Sequence, residues 1–476
     1  MKTRTLRPRS ERTAESPAHT GSARRPTWYG EAATFLPALL ALAFALEVAT
    51  RGNVGHLELV RAVLTVAVTQ VVPGAMVWRT VRPRQGWWVE DLVLGFAVGA
   101  ALAVPVQIVA AWLSASWLAW ALPLTGAGLL VAVPATRGRI LGARCTALPL
   151  WWAVSFAGAF ILPLRQVFGV AYGQPVRWSG WASPYVDMPY HLALAGEARH
   201  HFPPHYPQLS LETLNYHWFA HAWMAQVSSA SGTSLEIILL RFMPALLAVA
   251  LPMATAVAAV RLTRRIWAGP VAAALVFAVA ELGVWGLTRV HLPVTPLSPT
   301  LGFGVVVMLA LITLMVCRWR SETPVGTVVL VVLLLVVGGG SKGTVLPVLL
   351  LGCILAAGAA LWWRTDGRWR VVGDAVLTAG VLALLVVVLF RGGAGGMSVD
   401  PFTAMVEARG PLLLGLDVAE ISGLLAGSAV VGTLLMLHGS GLGALGAFLD
   451  TESRHDPATW LLLGCGGAGV GALLVF

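Results

Sequence analysis

From Asp187 to His221 the chain reads DMPYHLALAGEARHHFPPHYPQLSLETLNYHWFAH, and six of its eleven histidines fall in this stretch together with Glu197 and Glu212. Carboxylates and imidazoles are the side chains that move protons near neutral pH. Asp187 stands four residues before His191, so a helix would put both on one face. Pro189 is tolerated in a first turn, and Asp187 is placed to cap it. That local role accounts for the aspartate but not for the histidines. His217 and His221 repeat the spacing of four, and such a pair binds zinc when a third ligand joins it. It serves equally as two hydrogen-bonding histidines. No HExxH is present, so the metalloprotease signature is excluded. His200, His201 and His205 read as solvated or substrate-facing. No metal ligand set is assigned, and a divalent cation is left open.

A second group is cationic. Lys342 lies in VVGGGSKGTVLPVLLLG, between two apolar segments. A lysine at such a place is a functional hypothesis by default. Small glycines beside it would let backbone approach a phosphate, while the alternative is a hairpin turn whose lysine snorkels to the interface. The spacing is not a Walker A loop. Arg241, in TSLEIILLRFMPALL, and Arg289 with His291, in GLTRVHLPVTPLSPT, complete the set. Arg241 in an apolar run requires a partner, for which Asp187 or a ligand phosphate is a candidate.

The elements that must position these groups are membrane helices. Apolar residues make up 57% of the chain and charged residues 11%, against about 25% charged in soluble proteins. Apolar runs of spanning length fall near 32–50, 57–78, 91–112, 115–134, 147–164, 234–260, 267–288, 298–317, 325–340, 344–363, 371–390, 421–437 and 459–476. The expectation is an all-α polytopic membrane protein with about 11–13 transmembrane helices. Strand alternation is absent, which argues against a β-barrel. The formal charge of +10 sits in short clusters between apolar runs, a topology signal that speaks against a nucleic-acid partner. The four cysteines are widely spaced and carry no CxxC pair, so free thiols are expected. Residues 1–30 read as a disordered basic tail.

Orientation follows from arginine parity. With the tail in the cytoplasm, the clusters Arg79/Arg82/Arg84, Arg137/Arg139/Arg144, Arg261/Arg264/Arg265, Arg318/Arg320 and Arg364/Arg368/Arg370 all fall inside. Residues 165–233 then form an extracytoplasmic loop with interfacial helices, including a half-inserted or interfacial piece at 217–232. Lys342 comes to the same outer side. The remaining divisions are N-terminal helices at 31–164, a central bundle at 234–390, and an outer loop with C-terminal helices at 391–476. The location expected is the plasma membrane.

On YVDMPYHLALAGE and GGGSKGTVLPVLLLG the chain resembles the GT-C superfamily of integral-membrane glycosyltransferases, which includes protein O-mannosyltransferases and aminoarabinose transferases. FPPHYPQLSLETLNYHWFAHAW is also similar to multi-spanning actinobacterial families grouped near it. The resemblance covers about residues 147–390. It departs from the family pattern in two respects: the acidic residue follows the fifth apolar run rather than the first, and Asp187 is followed by Met188 rather than a second acid. The resemblance implies a polyprenyl-phosphate sugar donor, a saccharide or protein acceptor from the cell envelope, and an inverting transfer among membrane lipids. It implies a catalytic set of Asp187 as general base, His191 beside it and Glu197 in reserve. The leaving phosphate would then meet Lys342, Arg241, Arg289, His217 and His221. A transporter or flippase of a lipid-linked saccharide, with a broken helix at Gly338–Gly340, and a non-catalytic envelope-assembly protein are the alternatives.

Overall fold

The computed structural model describes residues 28–50, 54–176, 185–278, 282–283, 286–287, 297–392 and 450–475. Arg289, His291, the tail up to residue 27 and the apolar run 421–437 lie outside the described residues. The chain is an all-α polytopic membrane protein. Its helices are α1 (Trp28–Thr50), α2 (His56–Val81), α3 (Trp88–Trp112), α4 (Leu118–Ala132), α5 (Pro134–Gly142), α6 (Leu150–Ala171), α7 (Met188–His200), α8 (Phe219–Ser231) and α9 (Leu235–Thr263). They continue as α10 (Ala268–Ala278), α11 (Pro299–Trp319), α12 (Val328–Ser341), α13 (Val345–Trp362), α14 (Arg368–Val388), α15 (Thr451–His455) and α16 (Pro457–Val475). Among the described residues seven helices are long and apolar enough to cross a membrane, and α4 with α5, bent by 89°, would make an eighth. The shorter apolar helices are Phe35–Thr50 within α1, and α12. Among the described residues strands occur only as two-stranded ladders.

Ion pairs gather at one end of the bundle. Asp91 accepts from Nε of both Arg79 and Arg82 at 2.7 Å. Glu90 pairs with Arg261 at 2.6 Å, and Arg320 reaches the Arg261 carbonyl at 2.6 Å and pairs with Asp456. Asp374 accepts from Trp319 at 2.8 Å and lies 3.2 Å from Arg318, whose carbonyl accepts from Arg370. These contacts tie the ends of α2, α9 and α11 to the starts of α3, α14 and α16. Buried carboxylates persist because each is paired. The arginine clusters therefore share one end, as parity requires.

The opposite end is tied mainly by side-chain bonds to main-chain carbonyls. Gln107 of α3 donates to the Ala198 carbonyl of α7 at 3.1 Å. Thr233 donates to the Glu58 carbonyl at 3.0 Å, and the Tyr172 hydroxyl to the Ala45 carbonyl at 2.9 Å. A single core runs from Ala38 to Leu461, so the N-terminal helices and the central bundle share one packed interior.

The helix expected as a half-inserted or interfacial piece within 217–232 is packed inside the protein. Every residue from Phe219 to Ser228 is buried. Its polar side chains explain why it can sit there: Trp223 donates to Gln70 at 2.8 Å, Gln70 to Gln226 at 2.7 Å, and Gln226 to the Ala119 carbonyl at 2.6 Å. Inside an apolar bundle each of these groups needs a partner, and each has one. Gly232 ends the helix in the left-handed region, at φ 73°.

Candidate functional site

Three elements converge at the end opposite the arginines. Pro189 starts α7 and turns His191 inward, where it is 6% exposed. Buried α8 brings in His221, and the segment ahead of it brings Asn215, Tyr216 and His217. The third element is the turn at Lys342 between α12 and α13. Gly338–Gly340 lie within α12, which runs unbroken to Ser341, so the helix break expected at these glycines is absent and the chain turns only after them.

His191 Nδ1 lies 3.0 Å from His221 Nε2, with the rings stacked. Two imidazoles at this distance share one proton, so one ring donates and the other accepts. Tyr216 stacks on His217, centroids 3.8 Å apart, and meets Tyr190 edge-on at 5.8 Å. Three buried polar atoms here have no partner: Asn215 Oδ1, His217 Nε2 and His221 Nδ1. Unpaired buried polar groups are costly; six further such atoms lie elsewhere among the described residues, Trp78 Nε1 and Gln107 Oε1 among them.

Charges set the chemistry of the cluster. Burial pulls His191 down to about 4; the Asp187 carboxylate opposes this and the Lys342 ammonium adds to it. Burial, then Lys342 and His191, pull His217 down to about 3. Both are neutral at pH 7 and able to accept or donate a hydrogen bond. Burial lowers Lys342 as well, while the Asp187 charge works in the other direction. Burial and the neighbouring Tyr190 and Asp187 push the Tyr216 hydroxyl up to about 12.

Asp187 occupies the N-cap position of α7 but makes no capping bond. It is exposed, and its carboxylate has no hydrogen-bond partner or ion pair among the described residues. Lys342 is half-buried and likewise forms no ion pair among them. The two opposite charges interact without touching, which leaves both free for a ligand.

The other sequence candidates have local partners. Glu197 pairs with His201 at 2.9 Å and accepts from the His205 main chain at 3.4 Å. Arg241 is buried and donates to the carbonyls of Ala171, Leu240 and Gln174 at 3.3, 2.9 and 2.8 Å, with its guanidinium 5.3 Å from the Tyr172 ring centroid. It closes off the end of α6, so the partner it required is main chain rather than Asp187. The glycines before Lys342 serve packing: a Cβ on Gly340 would lie 2.3 Å from the Phe219 ring, and one on Gly339 would lie 2.6 Å from Leu346 and Leu385. They admit α8 and its neighbours to the backbone of α12. The zinc alternative for His217 and His221 gives way to the His191–His221 contact; no group of three or more His, Cys, Asp or Glu among the described residues is arranged to hold a metal ion.

Sequence reasoning missed Tyr190, Tyr216 and Asn215, although all three lie in the His-rich stretch. It also missed Gln70 and Gln226, whose polar character within apolar helices was the available signal. A groove of about 360 Å³ between α1 and α2, with Glu47 and His56 among its lining residues, includes none of the cluster. Comparison with protein-family models, curated proteins and solved structures finds no match.

Proposed function

We propose that this chain is an inverting glycosyltransferase of the plasma membrane. It transfers a sugar from a polyprenyl-phosphate donor to a cell-envelope acceptor on the outer face, and its N-terminus is cytoplasmic. The observation that carries the reading is the convergence of Asp187, His191, His217 and Lys342 at one end of an apolar bundle. At the other end, Glu90, Asp91, Asp374 and Asp456 are each held by arginine. Carboxylates committed to ion pairs do structural work, whereas Asp187 is free to accept a proton.

In this reading the acceptor hydroxyl oxygen attacks the anomeric carbon, and the bond from that carbon to the phosphate oxygen breaks. The hydroxyl proton passes to Asp187, and the electron pair leaves with the lipid phosphate. Lys342 faces the charge that develops there. His217, neutral and partly buried, supplies a hydrogen bond without adding charge. His191, held by His221, sits beside the base. Purified protein incubated with radiolabelled polyprenyl-phosphate sugars and cell-envelope acceptors tests the proposal, and a labelled product lost in Asp187→Asn is expected. No transfer from any donor would overturn it. Impermeant labelling of single cysteines at positions 20 and 208 tests the orientation: 208 should react from outside intact cells and 20 should not.

A further inference from the structure

At the arginine end, Arg84, Arg137, Arg139 and Arg144 form one group outside the ion-pair network; Arg265, Arg364, Arg368 and Arg370 also form no ion pair among the described residues but lie on other segments. Arg79, Arg82, Arg261, Arg318 and Arg320 are engaged by carboxylates. Arg84, Arg137, Arg139 and Arg144 are exposed and form no ion pair among the described residues. They come from three segments that the fold draws together. The main-chain N–H of Arg144 donates to the Arg84 carbonyl at 2.8 Å, where β1 (Gln85–Gly86) pairs in parallel with β2 (Arg144–Cys145). Arg139 Nη1 donates to the Thr80 carbonyl at 2.6 Å and fixes α5 against the end of α2.

The attitude of α5 tells what this patch meets. Apolar α4, 15 residues long, packs beside the membrane-length helix α3, and α5 turns away from it by 89°. A helix at right angles to a membrane span, at the span's end, lies along the membrane surface. On α5, Ile140 faces the protein at 7% exposure, while Leu141 is 78% exposed. Leu141 follows Arg137 by four residues, so an apolar and a cationic side chain share the outward face. That pairing marks helices that rest in the headgroup region, with the leucine toward acyl chains and the arginine at phosphate level. Guanidinium groups recognise phosphate with two parallel hydrogen bonds.

We infer that α5 and the β1–β2 ladder form a binding site for anionic phospholipid headgroups, built from Arg84, Arg137 and Arg144 and oriented by Arg139. The inference is independent of the glycosyltransferase reading. A juxtamembrane arginine strengthens attraction to an anionic surface about fivefold, so three give about a hundredfold.

The test uses full-length protein in a neutral detergent, titrated with short-chain phosphatidylglycerol or phosphatidylcholine and followed by thermophoresis. Wild type should bind phosphatidylglycerol about a hundredfold more tightly, and the preference should weaken with added salt. Arg84→Gln/Arg137→Gln/Arg144→Gln should lose it, while Arg165→Gln, an exposed arginine on α6, should keep it. Should the triple variant fail to run as a single species in gel filtration, Arg137→Gln alone should still cost about fivefold. Equal binding of the two lipids by wild type would overturn the inference. So would a preference surviving in the variants, or inorganic phosphate competing as well as the lipid.

Discussion

Acidification should loosen the histidine end before the rest of the bundle. His191 and His217 are held neutral by burial, titrating in the folded protein at about 4 and about 3 rather than at 6.5. The unfolded chain therefore binds more protons than the folded one throughout the interval from 6.5 down to these values. Stability rises with pH across that window and falls as pH drops through it. Between pH 7 and pH 5 the linkage amounts to about 2 kcal/mol for His191, and somewhat less for His217, which is partly exposed. The two contributions are coupled, since His191 lowers His217, so their sum is an upper bound. The assay is thermal unfolding in detergent at pH 7, 6 and 5, comparing wild type with His191→Gln, His217→Gln and the double variant. Gln keeps a hydrogen-bonding end but cannot titrate. Wild type should lose several degrees between pH 7 and pH 5, each single variant clearly less, and the double variant least. An unchanged slope in the double variant would refute the buried neutral histidines.

Further outcomes follow from other contacts. Asp187→Asn should express and fold normally, because the side chain caps nothing, yet abolish transfer; full activity would remove it as the base. Glu197→Gln should leave most of the activity, since Glu197 is paired with His201. Lys342→Gln should weaken donor binding about tenfold to a hundredfold, as expected for a charge-assisted contact of about 1.5–3 kcal/mol, with partial rescue by Arg. Gly340→Ala should destabilise by about 1–3 kcal/mol through collision with Phe219, and Phe219→Leu should recover part of it. Asp91→Asn should cost about 3–5 kcal/mol by stranding the buried Arg82, and Arg82→Leu/Asp91→Leu should cost less, both read by chemical denaturation in detergent.

Some of this protein is written locally. Long apolar runs can satisfy their backbone in a bilayer only as helices, so the all-α polytopic class needs no tertiary information. The arginine clusters fall at alternate helix ends, which sufficed to group them at one end of the bundle. Asp187 and His191 share a helix, and four-residue spacing is a local property. Other features depended on contacts between distant segments. That His191 meets His221 rather than Asp187, and that His221 is thereby drawn away from a zinc set with His217, required α7 and α8 to pack together. The interior placement of α8 came from Gln70 and Ala119, more than a hundred residues away, which satisfy polar atoms that would otherwise have held it at a surface. Arg241 looked unpartnered because its acceptors are main-chain carbonyls, two of them at the end of another helix, and carbonyls leave no mark in a residue string. The glycines before Lys342 look alike in sequence whether a phosphate or a Phe219 ring approaches them; only the packed neighbour decides which.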